Sequence, residues 1–365
     1  MNDDVVIIAL LESLERINED KIITKQLRDN SNPFLLPESK FKKIFRLPRD
    51  CARYLIEALD CEELQMGSLP KQLKVLCALH FFAQGSYQAS LGQDYNLALS
   101  QPSVSRCLDT VANLIIRKLT PSKIIFPNTP AERAENKAEF LSIFGMPNTI
   151  GAVDGSHIGI IAPPLSHPTA PGNIFYNRKG FYSINCQVIC NAKGRIINVN
   201  PNFPGSTHDA AVWRASNVNK SLERAYIQGN ENEWLLGDKG YPLLPWLMTP
   251  LSAPATAAEQ QYNNCHKQAR NIIEKTFGKL KNRFRCLLKH RILHYSPEKS
   301  AKIIVSCCTL YNLFFDTYSA DEDDEITDEE EHINSDEMMD PDHGNDFLTA
   351  ARVIQNQLIR SHFSV

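Results

Sequence analysis

Two aspartates and a glutamate stand where a chain would place them to hold a hard cation. Trp234, Leu235 and Leu236 form an apolar run ending at Gly237 and Asp238, the pattern of a buried strand that delivers a carboxylate at its C-terminal edge. Residues 149–153 repeat the pattern upstream and end at Asp154 and Gly155. Downstream, Ile273, Phe277, Leu280, Phe284 and Leu287 recur at three- and four-residue steps, the core stripe of a helix over residues 268–285. Glu274 lies on an adjoining face with Arg270, Lys281 and Arg285. Taken alone, Arg270 and Glu274 are what any solvated helix carries at i,i+4. Two strand-end aspartates and a helix-borne glutamate together suit oxygen ligation of Mg²⁺ or Mn²⁺, and through it an in-line displacement at a phosphodiester.

The elements that must position these groups follow in order along the chain. Residues 1–30 carry a helical apolar stripe, including Leu10, Leu14 and Ile17. After Pro33 and Pro37 a helical domain begins, with Phe41, Ile44, Phe45, Leu55, Ile56 and Leu59 on its stripe. Residues 69–83 form an apolar helix closed by Gly85; a second helix starts at Gln101 and Pro102 and buries Val104, Leu108, Val111 and Ile115. This layout is helix-turn-helix-like, with Ser103, Ser105 and Arg106 near the start of the second helix, where such helices meet DNA. The same pattern also occurs in bundles that touch no nucleic acid.

A connection with a charged helix over 132–144 leads to a second domain at Asn148. Residues 181–191 and 195–200, joined at Lys193 and Gly194, read as a hairpin. A helix over 210–224 then leads to the strand at Trp234 and to the helix that bears Glu274. Asp209, at the start of the 210–224 helix, reads equally well as an N-terminal cap and as a fourth ligand. Residues 286–318 are helical, 319–342 are too acidic to pack, and a last helix falls within 343–365. The expected domains are therefore 1–147, 148–318, 319–342 and 343–365.

Charge is divided unevenly. The chain of 365 residues has a formal charge of −3, but 13 of its 42 acidic residues fall in 321–342 with no Lys or Arg among them. The remainder holds 39 basic against 29 acidic residues, a body of about +10, which favours a polyanionic partner. No apolar run reaches the ~18 residues of a membrane span. The ten cysteines are scattered without zinc spacing and read as reduced thiols, a pattern that fits nucleus and cytoplasm.

Taken in order, SQPSVSR, PNTIGAVDGSHI, NRKGFYSINCQVICNAKGRI, PGSTHDAAVWRAS, LLGDKGYP and ARNIIEKTFGKLKNRF resemble the PIF/Harbinger superfamily of DDE transposases and the nucleases derived from it. The resemblance spans residues 30–315. It implies an α/β, RNase H-like nuclease domain, a mixed sheet flanked by helices, preceded by the all-α helix-turn-helix-like domain. It also implies a divalent metal held by Asp154, Asp238 and Glu274, with 35 residues between the last two. Arg270 and Lys281 match the basic companions of the glutamate, and Asp209 lies in a family motif, which favours a ligand role. Ser156 stands where many relatives carry threonine, and His157 and His208 flank the site. The implied activity is a metal-dependent DNA endonuclease, with a Myb-like protein assisting targeting and nuclear import. The competing reading is a domesticated DNA- or chromatin-binding protein that keeps the fold without the reaction. The sequence leaves the oligomeric state open.

Overall fold

The computed structural model describes residues 32–85, 99–166, 171–318 and 345–364, with isolated positions between 13 and 29. Most of the expected 1–30 helix, the 86–98 connection and the acidic segment 319–342 lie outside the described residues. The chain divides into two compact units: Met1–Lys118 with Phe284–Cys286, and Leu119–Arg283 with Leu287–Val365.

The first unit is helical, with α1 (Glu38–Phe45), α2 (Arg49–Ala58), α3 (Glu62–Gln65), α4 (Lys71–Gln84) and α5 (Gln101–Lys118). The apolar stripe over 38–59 breaks between α1 and α2 because Arg46 turns left-handed, φ 56°, and Pro48 precedes α2. Residues 73–83 of α4 are buried throughout, so α4 is the centre of this bundle. It packs on α5. Both helices of the helix-turn-helix-like reading are present, while the connection between them is among the undescribed residues.

The second unit holds a five-stranded mixed sheet in the order β3-β2-β1-β4-β5. Its strands are β1 (Thr149–Gly159), β2 (Ser183–Cys190), β3 (Ile196–Pro204), β4 (Trp234–Leu236) and β5 (Leu247–Met248). β2 pairs antiparallel with β1 and β3, while β4 pairs parallel with β1 and β5. The flanking helices are α6 (Thr120–Lys123), α7 (Pro130–Phe144), α8 (Asp209–Ala215), α9 (Asn217–Ile227), α10 (Ala257–Arg283), α11 (Pro297–Thr317) and α12 (Asn345–His362).

The sheet is covered by helices, which is why every residue of β2 is buried. Helices α7 and α10 pack on β1, and α11 packs on β3. Val153, Ile189, Leu235, Trp213 and Trp246 meet in one apolar cluster, and burying side chains of this kind contributes about 1.5–3 kcal/mol each. Asn312 of α11 closes the β3 edge: it accepts from Ile196 N at 3.0 Å and donates to Ile196 O at 2.6 Å.

Several boundaries differ from the sequence reading. The unit division falls at Lys118 rather than at 147, because α7, fixed by the Thr129–Glu132 capping box and ended at Gly145, lies against β1. The helix expected over 210–224 is two, since the Ser216 hydroxyl accepts from Asn219 N at 3.1 Å and starts α9. Helix α10 begins at Ala257 rather than Gln268, and the two-residue β5 carried too short a pattern to be seen.

Candidate active site

Asp154 sits in the middle of β1 rather than at its end, because β1 runs on to Gly159 in register with β2. Pairing with β4 stops at Ala152 and Leu236. Beyond that point β1 has lost its parallel neighbour, and Asp238, two residues past β4, follows the same opening. The expectation of a strand-end carboxylate therefore holds for Asp238 and fails for Asp154.

Asp154 accepts from Gly155 N at 2.8 Å and from Arg270 Nη1 at 3.2 Å. Arg270 also pairs, one turn along α10, with Glu274. Burial raises the Asp154 carboxyl well above the ordinary carboxylate range, and Asp238 and Asp209 raise it further against the opposing pull of Arg270. The three aspartates thus share one field. The same three act on the buried Tyr241 hydroxyl, which burial first and then Asp209, Asp154 and Asp238 push far above its usual value. Burial works against the charge of Arg270, but Asp154, Glu274 and Asp238 together outweigh it and raise its pKa.

Asp238 is buried and accepts from Gly240 N at 2.9 Å. Asp209 is the first residue of α8, and His208 precedes it as a cap residue without a side-chain capping bond, so Asp209 is not the N-cap. Its Oδ1 instead accepts from Asn185 Nδ2 at 2.8 Å. A Cβ on Gly155 would stand 2.2 Å from that same oxygen, so Asp209 fits only because residue 155 is glycine.

Sequence reasoning missed Asn185, Gln187, Tyr241 and the role of Gly155. Gly155 and Gln187 are opposite one another in the β1/β2 ladder, as are His157 and Asn185, so all four share a face. Gln187 Nε2 donates to the Tyr241 hydroxyl at 3.2 Å. The carbonyl oxygens of Asn185 and Gln187 are buried without a hydrogen-bond partner among the described residues. Two amides at alternate positions of the otherwise apolar run INCQVIC were the available signal, since polar groups inside a strand need partners.

Among the described residues no three His, Cys, Asp or Glu side chains stand close enough together to hold an ion. The donor chemistry nonetheless suits one: mutually repelling carboxylates, two unpartnered amide oxygens, and an arginine that already answers part of the negative charge. Oxygen donors of this kind fit Mg²⁺ or Mn²⁺ better than a soft metal.

The other expected residues are placed as follows. Lys281 is on α10 two turns beyond Glu274. Arg285 lies past α10, in the 3₁₀ turn Arg285–Leu287, within the segment that groups with the helical unit. Ser103, Ser105 and Arg106 lie in the first turns of α5, where Arg106 Nη2 donates to Ser103 Oγ at 3.3 Å. The His157 ring meets Ser183 Oγ at 3.0 Å, a structural bond.

A DDE superfamily endonuclease model matches residues 153–312, which contain every carboxylate of the cluster. The human protein HARBI1, a nuclease by name, is 37% identical over 275 residues, covering 74% of this chain and 76% of the relative. The chain belongs to the Harbinger-derived DDE endonuclease family. More distant relatives of this family member are from Arabidopsis thaliana. ALP1-like is 26% identical over 317 residues, covering 80% of this chain and 75% of the relative. Antagonist of like heterochromatin protein 1 is 27% identical over 268 residues, covering 70% and 64%. No solved structure matches the chain. The mixed sheet flanked by helices is consistent with the DDE endonuclease fold.

No helix among the described residues is long and apolar enough to cross a membrane. None of the ten cysteines is in a disulfide, and all but Cys61 are buried.

Proposed function

We propose that the protein is a divalent-metal-dependent endonuclease acting on DNA, with Asp154, Asp238 and Glu274 as its catalytic carboxylates. The observation that carries this reading is the shared field of Asp154, Asp209 and Asp238 beside the Arg270–Glu274 pair, at the opening where β4 leaves β1. Asp154, Asp238 and Glu274 would hold the cation, with Asp209 as a further ligand or as the group that fixes the Asn185 amide. The cation would supply positive charge to the phosphoryl group in an in-line displacement. The chain's own contribution is positional. Gly155 admits Asp209, Asn185 orients it, and the Asp238 carboxylate is fixed by Gly240 N. Arg270, and Lys281 two turns further on, would hold phosphate oxygens on the same side of α10 as Glu274.

The helical unit would add DNA contact through Ser103, Ser105 and Arg106, and a Myb-like partner would assist targeting and import, with the protein in nucleus and cytoplasm. A relative named as an antagonist of a heterochromatin protein favours a second reading, a DNA- or chromatin-binding protein without cleavage.

Labelled duplex DNA with Mg²⁺ or Mn²⁺ decides between them. Cutting by the native chain that Asp154→Asn, Asp238→Asn and Glu274→Gln each abolish, with melting temperatures retained, supports the nuclease. DNA binding without cutting, with and without a Myb-like protein, would move the assignment to the binding protein.

A further inference from the structure

A second feature of the nuclease unit lies along α10 from the carboxylates and belongs to no part of the cluster. Asn177 is 2% exposed, yet its side chain is spent entirely on a short turn. Its amide donates to Ser183 Oγ at 2.8 Å, and its Oδ1 accepts from Lys179 N at 2.9 Å and from Phe181 N at 3.4 Å. The backbone closes the same loop, Gly180 N to Asn177 O at 3.1 Å and Asn177 N to Phe181 O at 2.9 Å, with Gly180 at φ 83°. A left-handed glycine and a buried asparagine are what a fixed turn requires. The tip it presents is Arg178 and Lys179, both exposed.

Fixing two adjacent exposed cations costs self-repulsion, and more positive charge gathers beside them. Arg178, Lys179 and Lys281 all bear on the His157 ring, and together with burial, the largest cause, they hold it near pKa 4, so the ring adds no charge at neutral pH. Lys289 lies 5.6 Å from the centroid of Phe181, whose ring meets His157 edge-on. Asp154 meets Arg270 and, three residues on, His157 feels Lys281, so β1 and α10 advance together from the carboxylates to the basic turn. Lys281 is about 10 Å along the helix from Glu274 and nearly on the same face. One strand of a duplex carries a phosphate about every 3.4 Å of axis, so that length spans about three phosphates.

We infer that residues 177–180, with Lys281, form a grip for the phosphate backbone of duplex DNA beside the carboxylate cluster, an interaction that rests on the nuclease reading above. The contact is to phosphate and sugar rather than to base edges, so it sets register and affinity without selecting sequence.

The test is the salt dependence of affinity for a labelled duplex, read by anisotropy in chelator so that no strand is cut. Arg178→Ala/Lys179→Ala is compared with the native chain and with the charge-matched Lys220→Ala/Arg224→Ala on α9. The turn variant should lose roughly tenfold in affinity at the lowest salt and give a slope shallower by about 1.8, two phosphate contacts at 0.9 each. The α9 variant should keep a near-native slope, and Arg178→Lys should restore most of the loss. Equal effects of both double variants, or none from the turn variant while the native chain binds, would overturn the grip and leave the nuclease reading standing. Failure of the native chain to bind duplex DNA at all would overturn both.

Discussion

Gly155 and Asp209 are in such close contact that a single methyl group cannot be placed between them: a Cβ at 155 would lie 2.2 Å from Asp209 Oδ1 and 3.0 Å from Asn185 Oδ1. Gly155→Ala should therefore push Asp209 off the Asn185 amide, destabilise the unit by about 1–3 kcal/mol and weaken Mn²⁺ binding. Gly278, on α10 with nothing within 4 Å of its would-be Cβ, is the matched control. Gly278→Ala should stabilise by about 0.5–1 kcal/mol. Denaturant melts of the two variants check the pair; effects of opposite sign are expected, and a neutral Gly155→Ala would show that Asp209 is not held as described.

Arg270 answers carboxylates that a cation would otherwise bind. Its Nη1 donates to Asp154 at 3.2 Å while the other end pairs with Glu274, so an incoming ion competes with a charge already in place. Arg270→Gln should bind Mn²⁺ roughly fivefold more tightly, a coupling of ordinary size, yet hold duplex DNA less well. Calorimetric titration with Mn²⁺ reads the first effect without any cleavage assay. Weaker metal binding in the variant would mean that Arg270 organises the ligands instead of competing for them.

What could be read from the sequence, and what could not, follows from which residues carry local patterns. Asp238 lies at a strand's edge, as read, because an apolar triplet stops two residues before it; of the five residues of the helical stripe, Ile273, Phe277 and Leu280 lie within α10, while Phe284 and Leu287 lie past its end. Asp154 was misplaced within its strand because the pattern records burial, and β1 stays paired with β2 after β4 has ended. Asp209 could not be resolved locally: Ser-Thr-His-Asp has the composition of a cap, and only the position of Asn185, 24 residues away, shows that the carboxylate is used elsewhere. Tyr241 and Gln187 meet across 54 residues, a contact with no periodic trace. The unit boundary moved to Lys118 for the same reason, since the packing of α7 on β1 is a tertiary fact.

Glu233 should be a single point on which the seating of α7 depends. It is 4% exposed and takes Arg133, Lys137 at 3.3 Å and Asn230 Nδ2 at 2.6 Å, the two cations being on α7 and Glu233 immediately before β4. Glu233→Gln leaves the half-buried cations without an anion and should cost about 3 kcal/mol, whereas Arg133→Ala with Lys137→Ala in the same Gln background should cost much less than the sum of the singles. A double-mutant cycle in urea measures the coupling, and strict additivity would show that the cluster is not a unit.

His266 gives the protein an acid limit. Its ring is 1% exposed and meets the Met248 carbonyl at 3.1 Å through Nε2, which as the neutral tautomer donates. Burial, with Arg270 adding to it and the Met248 bond opposing, lowers its pKa from 6.5 to about 4. The folded state therefore binds fewer protons than the unfolded state between pH 6.5 and 4, so the contribution of this group is fully present above 6.5 and is lost as pH falls toward 4. At pH 5 the loss is about 2 kcal/mol, 1.36 for each of roughly 1.5 pH units. His266→Gln cannot take up that proton, and its amide can still donate to Met248. Urea midpoints at pH 7 and 5 should diverge for the native chain by about 2 kcal/mol more than for the variant. An identical acid loss in both would place the titrating group elsewhere, with His157, also held near 4, as the next to replace.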